Sequence, residues 1–77
     1  MTTYKTTKTL VAAAKRTARK LESGVDAHDM VKMTPAIRSI VRQLNDVIKL
    51  QHGTREELDR AEEAWEEILY QYYQVNH

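Results

Sequence analysis

Three stretches of the chain carry apolar residues at the three- and four-residue spacing of an amphipathic helix, and this periodicity constrains the fold most strongly. The last stretch is the most regular, and its apolar positions alternate spacings of three and four residues: Leu58, Ala61, Trp65, Ile68, Tyr72 and Val75. The chain has two glycines, one proline and no phenylalanine, which argues against a turn-rich β fold. We therefore predict an all-α fold.

Helix start and stop signals set the outer helices. The first helix is predicted over residues 7–23, with Gly24 as its C-terminal glycine. The last helix is predicted over residues 55–74, because Thr54 and Glu57 have the spacing of a capping box.

The middle of the chain is more ambiguous. Thr34 and Pro35 have the pattern of a helix start, with the threonine as N-cap and the proline at the first helical position. A helix is therefore predicted over residues 35–51, with Gly53 as its expected C-terminal glycine. Residues 26–33 are interpreted as a short helix capped by Asp26, or as a loop, that ends at a break before the proline.

These elements predict a single helical domain over residues 1–77. Its expected architecture is a small three-helix bundle, up-down-up, with a short extra helical turn between helices 1 and 2. A chain of this length buries only about 60% of the surface that its unfolded form exposes. It has no cysteine to form a stabilising disulfide, so a partner chain is one way to complete the core.

Charge is sorted along the chain. Residues 1–24 carry a net charge of +5, residues 25–53 carry +1 and residues 54–77 carry −5, within a total of +1. The basic residues of the first helix are candidates for contact with nucleic-acid phosphates: Lys8, Lys15, Arg16, Arg19 and Lys20, with Lys5 before them. The favoured explanation is a solvated face that the acidic last helix partly neutralises, because the domain is not basic overall.

The C-terminal tyrosines are the candidate protein contact. Tyr72 lies on the apolar seam, whereas Tyr70 lies in the polar face and Tyr73 at its edge. Tyrosine is favoured at interfaces because it combines a large apolar area with a polar tip. The predicted partner-binding residues are the two tyrosines and the neighbouring acidic stripe: Tyr70, Tyr73, Glu63, Glu66 and Glu67. Alternatively, the rings fold back on the end of the bundle.

Trp65 lies at the centre of the same seam. It is interpreted as a core anchor or as the centre of a helix–helix interface.

Several functional classes are disfavoured. His28 lies near Asp26 and Asp29, but without a second histidine or a cysteine at ligand spacing it predicts a helix cap and no metal site. Nucleophile triads and phosphate-binding glycine loops are absent from the sequence. We predict no catalytic residue, no cofactor and no membrane span, and expect a cytoplasmic protein.

The predicted function is a small, non-enzymatic protein–protein interaction module of bacterial or phage origin. It is expected to act as an adaptor, regulator or inhibitor that docks on a larger protein or complex. Two alternatives are kept: a nucleic-acid-binding protein that uses the basic face of the first helix, and a self-assembling structural protein, which would be a homo-oligomer.

Overall fold

The computed structural model describes residues 6–75, which form three helices: α1 (Thr7–Glu22), α2 (Ala27–Leu50) and α3 (Arg55–Val75). No strand occurs within these residues. Each helix packs against the other two. The connections are short, so α2 runs antiparallel to its neighbours, and the Thr7 hydroxyl donates to the His52 carbonyl at 3.4 Å across one end. The predicted all-α three-helix bundle is confirmed.

The core combines small residues on the outer two helices with larger residues on α2. Five buried alanines lie on α1 and α3: Ala13, Ala14, Ala18, Ala61 and Ala64. The buried residues of α2 are all larger: Met30, Ile37, Ile40 and Leu44. Because helix spacing depends on the side chains at the contact, α1 and α3 share the most extensive contact. The α2–α3 contact is less extensive, and a groove lies along it.

Both ends of α1 have the expected capping chemistry. The Thr9 backbone N–H donates to the Thr6 hydroxyl at 3.1 Å, and the Thr6 N–H donates to the Thr9 hydroxyl at 3.2 Å. These two bonds satisfy groups that the helix leaves unpaired. Gly24 follows the helix with φ +100, and its N–H donates to the Leu21 carbonyl at 3.1 Å, so its predicted role is confirmed.

The predicted break at Thr34 is wrong. The helix α2 continues through Pro35 without interruption. The extra helical turn expected over residues 26–33 is therefore the first part of α2 and no separate element. Thr34 does not cap a helix, because its hydroxyl donates to the Met30 carbonyl at 2.8 Å from within the helix.

Solvent exposure and a continuous apolar stripe explain why the helix tolerates proline. A proline at position 35 removes the hydrogen bond to the Val31 carbonyl. Val31 is 73% exposed and Pro35 is exposed, so water reaches this side of the helix. An apolar stripe crosses the proline at unbroken helical spacing: Met30, Met33, Ile37, Ile40, Leu44 and Val47. Burying it, at about 1.5–3 kcal/mol per fully buried side chain, outweighs the roughly 3 kcal/mol cost of an internal proline.

The ends of α2 differ in how well local signals predict them. Asp26 is the N-cap and accepts the Asp29 N–H at 2.8 Å. At the other end Gln51, with φ 53, is the left-handed residue that follows the helix. Its neighbour His52 donates its N–H to the Val47 carbonyl at 3.0 Å. A glutamine therefore holds the position that the sequence assigned to a glycine.

The predicted capping box at the start of α3 is confirmed. The Glu57 N–H donates to the Thr54 hydroxyl at 3.2 Å, and the Thr54 N–H donates to the Glu57 carboxylate at 3.0 Å. The bonds from Thr54 lower the pKa of Glu57 below its ordinary value of 4.5. The stabilisation is therefore present above pH 4.5 and is lost as the pH falls through the lowered pKa.

Candidate functional site

An open groove of about 890 Å³ runs between α2 and α3. Its aromatic lining residues are Trp65, Tyr72 and Tyr73, and its charged lining residues are Arg38 and Arg42. Aliphatic and small polar side chains complete the lining.

The antiparallel arrangement sets which residues face each other across the groove. The lining spans residues 34–45 of α2 and 65–73 of α3. Because the two helices run in opposite directions, Pro35 lies at the same end as Tyr73, and Asn45 lies at the same end as Trp65. Arg42 therefore stands near the height of Trp65, about one helical turn from Arg38.

Trp65 lies at the boundary between the core and the groove. It is partly buried against the core and also lines the groove. Its indole Nε1 is buried and has no acceptor within the described chain. An unsatisfied buried donor costs about 1–3 kcal/mol. Any rearrangement that brings an acceptor to this N–H would remove that cost.

The tyrosines near the C-terminus have different environments. Tyr72 packs against the core, and its ring meets that of Tyr73 edge to face, with centroids 6.0 Å apart. Tyr73 is 60% exposed and lines the groove. Tyr70 is 61% exposed and lies outside the groove lining. Tyr70 and Tyr73 are therefore equally exposed, but only Tyr73 lies in the groove.

Arg38 and Arg42 form the basic side of the groove. Both are exposed, and neither belongs to the two ion pairs found among residues 6–75. Like charges four residues apart on a helix repel each other, so an anionic group between them would be stabilising. Arginine is well suited to this because its planar guanidinium can donate two parallel hydrogen bonds to a carboxylate.

The five residues of the predicted contact patch differ in their surroundings, and partner binding by them stays a prediction. Tyr73 lines the groove, whereas Glu63 lies towards α1, with its carboxylate 3.6 Å from the Lys15 ammonium. Glu66 is exposed and Glu67 is half-buried on α3. The five positions are spaced three and four residues apart on one side of α3, with Glu63 at its α1 edge and Tyr73 at its groove edge.

The basic face of α1 borders the acidic face of α3. Four of its residues are exposed: Lys8, Arg16, Arg19 and Lys20. The side chain of Lys15 retains 34% of its exposure and contacts Glu63. A surface pair of this kind contributes at most about 1 kcal/mol. Nucleic-acid binding by this face stays a prediction.

The sequence interpretation missed the role of α2. No site residue is predicted on α2 from the sequence, whereas the structure places Arg38 and Arg42 in the groove lining. The sequence does contain a signal for this site. Arg38 and Val41 lie beside the buried Ile37 on α2, on the side that faces the aromatic residues of α3.

In the part of the chain that the structure describes, no group of three or more His, Cys, Asp or Glu side chains could hold a metal ion. No helix there is long and apolar enough to span a membrane. No protein-family model, curated protein or solved structure matches the chain.

Proposed function

We propose that this chain is a small, non-enzymatic protein–protein interaction module whose docking surface is the α2–α3 groove. It acts as an adaptor, regulator or inhibitor by binding another protein. The observation that carries the proposal is the presence of Trp65, Tyr73 and the Arg38–Arg42 pair in one open groove. Tryptophan, tyrosine and arginine are the residue types that dominate binding energy at protein interfaces.

The physical form of the groove supports binding in preference to catalysis. Its aromatic rings offer large apolar areas that lose few rotatable bonds on binding. Its two arginines offer directional contacts to carboxylates. A partner that covers Trp65 and Tyr73 also adds apolar burial to a domain whose own core is small.

The matched tyrosines provide the test. The immobilised chain is used to capture protein from nuclease-treated lysate of the source cells, and the captured protein is then purified for affinity measurements. Replacing Tyr73 with alanine should weaken its binding about 10- to 30-fold, as expected for an interface hot spot. The control Tyr70→Ala removes an equally exposed ring outside the groove and should change affinity less than about threefold.

Equal effects of the two tyrosine substitutions would contradict the groove as the docking surface. Capture that disappears with nuclease treatment would instead favour the second candidate, nucleic-acid binding by the exposed basic residues of α1. In that case Arg16→Glu with Arg19→Glu should abolish binding to duplex DNA at low salt.

A further inference from the structure

We propose that the groove is occupied by a second copy of this chain, in a two-fold dimer that lays α2 of each copy over α3 of the other. This inference rests on the proposed function, because it takes the groove to be a protein-docking surface. The second copy is the partner whose charges best complement those beside the groove.

The two rims of the groove carry opposite charges. The α2 rim is an exposed stripe at alternating spacings of four and three residues: Val31, Pro35, Arg38, Arg42, Asn45 and Lys49. The α3 rim is a stripe at alternating spacings of three and four: Asp59, Glu62, Glu66, Leu69 and Tyr73. All charged members of the first stripe are basic and all those of the second are acidic. No ion pair joins the rims within residues 6–75.

A surface with one basic and one acidic rim is complementary to itself in only one face-to-face orientation. A two-fold axis along the groove places the basic rim of each copy over the acidic rim of the other. A two-fold axis across the groove places like charges over each other, which is unfavourable. Charge therefore selects the first orientation.

The same axis also sets the register. A two-fold rotation about the groove direction leaves every residue at its own height along the groove. Because α2 and α3 are antiparallel, Arg42 of the second copy then stands at the height of Glu66. Lys49 stands near Asp59, and Pro35 stands near Tyr73. The opposite charges are thus matched at two heights, about two helical turns apart.

Size and exposed apolar surface support the same occupant. The molecule measures 37 × 22 × 17 Å, so the outline of a face parallel to its long axis is of the same order as the roughly 800 Å² per partner that a standard interface covers. Val31 and Tyr73, both among the most exposed large apolar residues, lie on the two rims. The dimer would cover both of them together with Trp65.

Charge reversal tests the dimer by sedimentation equilibrium over a range of protein concentrations at low and high salt. We expect the wild-type chain to dimerise, more weakly at high salt. Arg42→Glu with Lys49→Glu should weaken dimerisation at least about 100-fold, as should Asp59→Lys with Glu66→Lys. An equimolar mixture of the two variants should restore a dimer, because the reversed rims are again complementary.

A matched control distinguishes the effect of reversing the rim charges from the effect of changing the net charge of the protein. Arg16→Glu with Lys20→Glu reverses two exposed charges on α1 and gives the same formal net charge as the α2 variant, so it should remain dimeric. Circular dichroism verifies that every variant is helical. A wild-type chain that stays monomeric, or a variant mixture that does not associate, would overturn the dimer. If Tyr73→Ala still weakens capture of a different protein, the proposed function survives that result; if it does not, both fail.

Discussion

Four short polar residues illustrate how capping depends on the residue three positions later. Thr6, Asp26 and Thr54 each cap a helix, and each accepts the backbone N–H of the third following residue. Thr34 instead lies inside α2. Its third following residue is Ile37, which is buried and has no polar group to reach back to the cap. Thr34 therefore cannot have the reciprocal side-chain bond that completes the caps at Thr6 and Thr54.

Gln51 is the only non-glycine residue with a positive φ among residues 6–75. A side chain in the left-handed region costs about 1–2 kcal/mol relative to glycine. Gln51→Gly should therefore raise the free energy of unfolding by about 1 kcal/mol, measured by urea denaturation. The control His52→Gly places the glycine one residue later, where φ is not positive, and should give no increase. Equal gains from both substitutions would contradict the assignment of strain to Gln51.

At the scale of a whole element, α2 is one helix because its buried face is continuous. The apolar spacing before Pro35 has the same phase as the spacing after it, so a single helix buries both halves against α1 and α3. A separate short helix would have needed its own packing direction. Local helix-breaking preference is therefore overridden by tertiary packing.

The exposed proline should lower the stability of α2. Pro35→Ala restores the hydrogen bond to the Val31 carbonyl and should raise the free energy of unfolding by about 1–2 kcal/mol. The full helix-propensity difference is not expected, because alanine also gives the unfolded chain more freedom. Urea denaturation of dilute protein measures the change. The control Lys32→Ala, at another exposed position of α2, should change the free energy of unfolding by less than about 0.5 kcal/mol. A lower free energy of unfolding for Pro35→Ala would instead indicate that the proline is needed for the helix geometry.

At the scale of the whole molecule, buried alanines mark the seam between α1 and α3, which is the most extensive helix contact of the bundle. The fully buried Ala14 and Ala18 of α1, together with Ala64 of α3, allow these two helices to approach closely. The same approach brings the basic and acidic helices together, as the Lys15–Glu63 pair shows. The opposite charges of the two chain ends are therefore partly offset within the monomer.

A larger side chain at the tight seam should destabilise the bundle. Ala64 is 1% exposed, so Ala64→Leu adds atoms where no space exists and should lower the free energy of unfolding by about 1–3 kcal/mol. The control Ala12→Leu adds the same atoms at an exposed position of α1 and should change stability by less than about 0.5 kcal/mol. Thermal and urea denaturation both report the difference. An unchanged stability for Ala64→Leu would mean that the α1–α3 spacing is adjustable.

The sequence by itself determined the all-α class and most helix ends, because apolar periodicity and capping chemistry act over a few neighbouring residues. Gly24, Asp26 and the Thr54–Glu57 pair were all assigned correctly from such local signals. Tertiary structure decided that α2 runs through Pro35, since that outcome depends on burying one stripe against two other helices. It also decided that Tyr73 and not Tyr70 lies in the groove. The sequence predicts the direction of each side chain around α3, but only the packed position of α2 determines which direction faces the groove.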